Sequence, residues 1–167
     1  MLGESIISSI EANTNLVKID NIENRIKQGL ELCDSFLSRP HDICLRIDAL
    51  HVEYMQSRND KLLALDVAVK ARKVFEEHDI AKHLYYIEAI EREAKILFDL
   101  NRYPESIEIS TKAIDLFGVN GKVVSPCFYF MLSRSYEQVG ESGKAKSILD
   151  DLRISNGDND YSMQGCD

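Results

Sequence analysis

The chain has 167 residues, 44% hydrophobic and 29% charged, the composition of a folded globular domain and not of a disordered one. Its formal net charge of −8 argues against nucleic acid, which needs a basic stripe, and suits solubility and basic partners. No apolar run approaches the ~20 residues of a membrane span, the N-terminus lacks the order of a signal peptide, and Cys33, Cys44, Cys127 and Cys166 form no CxxC pair, so reduced thiols in a cytoplasmic protein are expected.

Residues 1–19 hold Ile6, Ile7 and Ile10, one face of a short helix that Asn13-Thr14-Asn15 would break. Asp20 and Glu23 have the form of a capping box. Behind them Ile22, Ile26, Gly29, Leu30, Cys33, Phe36 and Leu37 step by threes and fours, which predicts a helix over 21–38, stopped by Pro40. A second helix is predicted over 42–58 (Ile43, Ile47, Leu50, Tyr54) and, after the Asn59-Asp60 turn signal, a third over 61–77 (Ala64, Ala68, Ala71, Phe75). The fourth, over 80–100, is long. The fifth, over 104–117, begins at Pro104 and stops at Gly118. Asn120-Gly121 marks a turn and Ser125-Pro126 a cap, opening helices over 126–139 and 142–154. Residues 156–167 are polar and glycine-rich, and are expected to be a disordered acidic tail. No period-two segment is long enough for a strand, so the expected class is all-α.

Two of the helix pairs carry one pattern. Ile90, Ala94, Leu97, Asn101, Ser106 and Ala113 recur as Tyr129, Ser133, Tyr136, Gly140, Ala145 and Leu152, each 39 residues on (133 − 94, 145 − 106). A fixed period of this size marks a helical-repeat solenoid. Small residues at 94, 106, 133 and 145 let paired helices approach, and Asn101 and Gly140 tolerate the left-handed conformation of a helix end. A weaker copy precedes them. Ala64 and Ala71 match Ser106 and Ala113 at an offset of 42 (106 − 64), but Ile47 matches Ile90 at 43 (90 − 47). That reading puts His51 in the small crossing position and lengthens the turn near Asn59 by one residue.

This order of large, small, large, turn, small and apolar residues resembles the tetratricopeptide repeat (TPR). The resemblance implies a right-handed α-α superhelix of antiparallel helix pairs, about seven helices in a single domain over 1–155. Its repeats would cover about 43–77, 81–117 and 126–154, preceded by the helix over 21–38. The period is longer than the usual 34, which is similar to repeats of bacterial regulatory and sensory proteins. The function implied is non-catalytic binding of a protein or peptide. The alternatives are a type III secretion-type chaperone or a structural oligomerisation domain.

In such repeats the first helix of each pair lines the binding groove. The corresponding side chains are Asp48, Val52 and Met55; Glu88, Glu91, Arg92, Lys95 and Phe98; and Cys127, Phe130, Arg134 and Glu137. The places that hold a peptide's terminal carboxylate in chaperone-binding repeats of this family correspond to Asp48, Val52, Glu91, Lys95, Phe130 and Arg134; only Lys95 and Arg134 of these are basic and none is asparagine, so such a clamp is not expected. Ile148, Leu152 and Ile154 on the last helix are a candidate self-association face, with a homodimer as the natural outcome. The histidines (His41, His51, His78, His83) and the run Glu76, Glu77, His78, Asp79 match no metal motif, and no nucleophile or phosphate-loop signature is present. No catalytic residue, metal site or cofactor is expected, and no membrane or nucleic-acid partner.

Overall fold

The computed structural model describes residues 19–37, 41–78, 84–118 and 125–156. Among them are seven α-helices and no strand: α1 Ile19–Phe36, α2 Asp42–Ser57, α3 Lys61–Glu77, α4 Leu84–Asp99, α5 Tyr103–Gly118, α6 Pro126–Gln138 and α7 Ser142–Asn156. The expectations for the first eighteen residues, for Asn120-Gly121 and for the tail beyond Asn156 lie outside the described residues. The chain divides into two compact units, Met1–Ala89 and Ile90–Asp167, and the boundary falls inside α4.

Three helix ends repeat one another bond for bond. After α2, the Asp60 N–H donates to the Met55 carbonyl and the Asn59 N–H to the Gln56 carbonyl, both at 2.9 Å. After α4, Arg102 donates to Leu97 and Asn101 to Phe98. After α6, Glu141 donates to Tyr136 and Gly140 to Glu137. This paired closure is a Schellman cap, and it needs a left-handed residue just past the helix. Asn59, Asn101 and Gly140 supply it, at φ 61°, 59° and 82°. Asparagine and glycine are the residues that enter this region at least cost.

The caps fix the register between copies. They are spaced by 42 (101 − 59) and 39 (140 − 101) residues, so the first copy runs at an offset of 42 throughout. This corrects the expected longer turn near Asn59. It also moves His51 out of the crossing position: the residue equivalent to Ala94 is Val52, 1% exposed.

At the two later crossings the small pair closes by the same bond in opposite senses. On α5, Ser106 Oγ donates to the Ala94 carbonyl of α4 at 3.1 Å; on α6, Ser133 Oγ donates to the Ala145 carbonyl of α7 at 3.0 Å. Serine and alanine have exchanged helices between the copies while the contact is kept. All four residues are 2% exposed or less. Ser135 on α6 also donates to Ser106 at 3.3 Å, tying α6 to α5. A leucine at Ala94 has no room at this distance. Ala94→Leu is expected to cost about 1–3 kcal/mol by overpacking, read as a lower urea midpoint; an unchanged midpoint would contradict the crossing.

The first unit is built around α2. Glycine at 29 allows α1 to lie close, since a Cβ there would stand 2.9 Å from Ile47 Cδ1. Cys33, Cys44 and Ile47 form one buried cluster, and Ile26 with Tyr54 another. Cys33 and Cys44 are joined as a disulfide, with Cα atoms 5.6 Å apart. This corrects the expectation of reduced thiols: packing α1 on α2 brings the two sulfurs together. α1 also starts earlier than its capping-box signal, so Asp20 lies inside the helix. Glu23 instead accepts a hydrogen bond from the Tyr54 hydroxyl at 3.1 Å, across to α2.

Candidate binding face on α4 and α6

In the second unit, α4 and α6 meet side by side through two contacts. At one end Ser125, the N-cap of α6, accepts from the Cys127 N–H at 3.3 Å and donates its hydroxyl hydrogen to Glu91 Oε1 at 3.2 Å. At the other, the Arg134 guanidinium lies over the Phe98 ring, 5.2 Å from its centroid. Lys95 on α4 and Phe130 on α6 fall between these contacts in sequence. The helical period puts Glu91, Lys95 and Phe98 on one stripe of α4, and Cys127, Phe130, Arg134 and Glu137 on one stripe of α6.

Their exposure is graded. Arg134 and Glu137 are exposed, while Glu91, Arg92, Lys95, Phe98 and Phe130 are half-buried. Phe98 is braced from both sides, because Tyr103 packs edge-on against it with centroids 5.4 Å apart and planes at 65°. Sequence reasoning missed Tyr103. It stands two residues past the Asn101 cap, and only the cap's geometry returns the chain over Phe98.

Glu88 is half-buried on the turn of α4 before Glu91. On α2 the expected set falls elsewhere. Val52 and Asp48 are buried, at 1% and 5% exposure, and Met55 is half-buried beside a cleft toward α1. With the offset of 42 set by the caps, the α2 residues equivalent to Glu91, Lys95 and Phe98 are Ala49, Glu53 and Gln56 (91 − 42, 95 − 42, 98 − 42). The repeated asparagine at 59 and 101 was the signal that could have given this.

At the end of the chain, Leu152 is buried at 4% exposure and belongs to the core, and Ile148 is half-buried. The Ile154 side chain lies outside the described residues. Glu76, from the acidic run before α4, accepts from Arg72 at 2.8 Å and from the Tyr86 hydroxyl at 3.1 Å, so it serves packing between α3 and α4. Among the described residues no group of three or more histidine, cysteine, aspartate or glutamate side chains could hold a metal ion. No described helix is long and apolar enough to cross a membrane.

No protein-family model matches the sequence, and no curated protein matches it. Solved structures do. A kinesin light chain-like protein of Podosopora anserina, built of nearly identical TPR-like repeats, superposes with a TM-score of 0.77 at 11% identity, covering 98% of this chain and 79% of its own. A point-substituted form of the same protein gives 0.78 at 11% identity, covering 98% and 78%. BtubC (BKLC) from P. vanneervenii gives 0.60 at 14% identity, covering 95% and 82%. At these identities the likeness is one of fold, and it agrees with the three matching caps: the chain folds as a TPR-like helical repeat.

Proposed function

We propose that the chain is a non-catalytic protein-interaction module of the regulatory or signalling kind, and that α4 and α6 present the surface that takes an extended partner segment. The carrying observation is the pairing of Glu91 with Ser125 and of Phe98 with Arg134. These contacts set aromatic and charged side chains in fixed positions along two neighbouring first helices. Aromatic residues and arginine are the types most enriched among binding hot spots. An arginine already stacked on a ring gives up less side-chain freedom on binding than a free one. The mixture of apolar and charged groups suits a segment that carries both.

The test begins with selection of binders from a random peptide display library against the whole protein. A selected peptide is then titrated by calorimetry against wild type and Arg134→Glu. Binding is expected to weaken about thirtyfold or more, the scale of a hot-spot loss. The thermal midpoint should move little, because an exposed cation–π contact contributes only about 0.5–1 kcal/mol. Equal affinity for both proteins would place the partner elsewhere.

A further inference from the structure

The last helix pair runs antiparallel, and three contacts give its register. The Lys144 ammonium lies over the Tyr136 ring, 5.3 Å from the centroid, and Ser133 bonds to Ala145. Nearer the start of α6 the Tyr129 phenol has its pKa raised, by burial first and by Asp151 of α7 second. Contacts that step back along α6 from 136 to 129 therefore step forward along α7 from 144 to 151. Continuing the run brings the last turn of α7 level with Cys127.

Cys127 is disulfide-bonded, and no described cysteine is free. The chain has four cysteines, Cys33, Cys44, Cys127 and Cys166. Cys33 and Cys44 are bonded to each other. Within one chain that leaves Cys166 for Cys127. The ten residues from Asn156 to Cys166 (166 − 156) can span up to about 33 Å. Packed helices lie about 8–10 Å apart, so the segment has length to spare.

We infer that Cys127 is bonded to Cys166, and that residues 157–166 form a covalent strap across one end of the α4 and α6 face. The bond fixes where the strap arrives. Bonded cysteines have Cα atoms about 5.5–6 Å apart, and successive Cα atoms are about 3.8 Å apart, so Gly165 stands beside Cys127. Cys127 is two residues past Ser125, whose hydroxyl is bonded to Glu91 of α4. The strap thus occupies the end where α6 meets Glu91, and it brings Asp158 and Asp160 with it. A tethered segment acts at an effective concentration of about 1 mM, so a contact with a Kd of only ~0.1 mM weakens a competing partner about tenfold.

The two disulfides differ in access. Cys33 and Cys44 are 1% and 0% exposed, whereas Cys127 is half-buried. Thiol–disulfide exchange requires a thiolate to reach a sulfur, so a dithiol reductant opens the strap first and leaves α1 tied to α2. Its thiolate attacks one sulfur and the Cys127–Cys166 bond breaks. Its second thiol then closes the reagent into its own disulfide, and the protein gains two electrons and two protons as two cysteine thiols. The bond is inferred independently of any partner; the competition rests on the reading of α4 and α6 as the binding face.

Non-reducing proteolysis with mass spectrometry should recover Cys127 and Cys166 in one linked pair, which mild dithiothreitol releases before the Cys33–Cys44 pair. The footprint of the strap is read next, without a partner: amide shifts of oxidised wild type and Cys166→Ser should differ over 91–95 and 125–130. Last, a peptide selected from a display library on Cys166→Ser is titrated by calorimetry. Oxidised wild type should bind it about tenfold more weakly than the variant does, and wild type treated with dithiothreitol should match the variant. Cys127 recovered as a free thiol without reductant, or linked to a second copy, would overturn the bond. Shift differences confined to 125–129 would overturn the strap's place on the face. Equal affinities with the linked pair present would overturn the competition. A peptide that shifts no α4 or α6 amide in Cys166→Ser would count against the face itself, and the first two readouts would still decide the strap.

Discussion

Truncating Phe75 to alanine is expected to cost about 3–5 kcal/mol. The side chain is 1% exposed near the end of α3, and its ring lies tilted at 50° against Tyr86, with centroids 5.5 Å apart. Tyr86 is itself 1% exposed and anchored through its hydroxyl to Glu76. With Tyr86 held in place, little can collapse into the space. The cost therefore includes the cavity as well as the lost transfer energy. Urea denaturation of Phe75→Ala should show a much lower midpoint. An unchanged midpoint would mean that α3 and the start of α4 are not packed in this way.

The second large effect is expected from the Cys33→Ala/Cys44→Ala double variant. The bond spans a sequence separation of 11 residues, and closing a loop of that size stabilises by about 3 kcal/mol when the unfolded chain is the state restrained. α1 is held to α2 by the Gly29 approach, the Tyr54–Glu23 bond and this disulfide, so the bond's loss falls first on α1. Without reductant, the double variant should unfold about 3 kcal/mol below wild type, and amide exchange should quicken first in α1. Coincident midpoints would contradict the bond. Disulfides persist in oxidising surroundings, so the cysteines no longer support the cytoplasmic location that their spacing suggested.

Much of this fold was legible in the sequence, and the parts that were not failed for physical reasons. The helices show because their apolar residues recur by threes and fours, and the later copies show because Ala94, Ser106, Ser133 and Ala145 keep small volumes at fixed places. The first copy was misaligned because its two informative positions are disguised. Val52 is not small, and Asp48 is polar where its equivalents are Ile90 and Tyr129. Matching apolar to apolar therefore paired Ile47 with Ile90, one residue out. Backbone conformation was the better guide: Asn59 and Asn101 share a left-handed φ, a requirement that does not drift when side chains change. The same slip put Val52 and Met55 on the candidate binding face. On α4 and α6, where the register was read correctly, Glu91, Phe98 and Arg134 fall where the two helices meet. The Cys33–Cys44 bond could not be read from spacing, because it exists only once α1 lies on α2.

Amide-shift mapping puts the proposed partner surface on α4 and α6 to the test. Isotope-labelled full-length protein is titrated with a peptide selected from the display library. The predicted result is a saturable set of shifts concentrated on Glu91–Phe98 of α4 and Cys127–Glu137 of α6, lost in Arg134→Glu. Saturable shifts confined to residues outside those two helices, with the α4 and α6 amides unmoved, would contradict it.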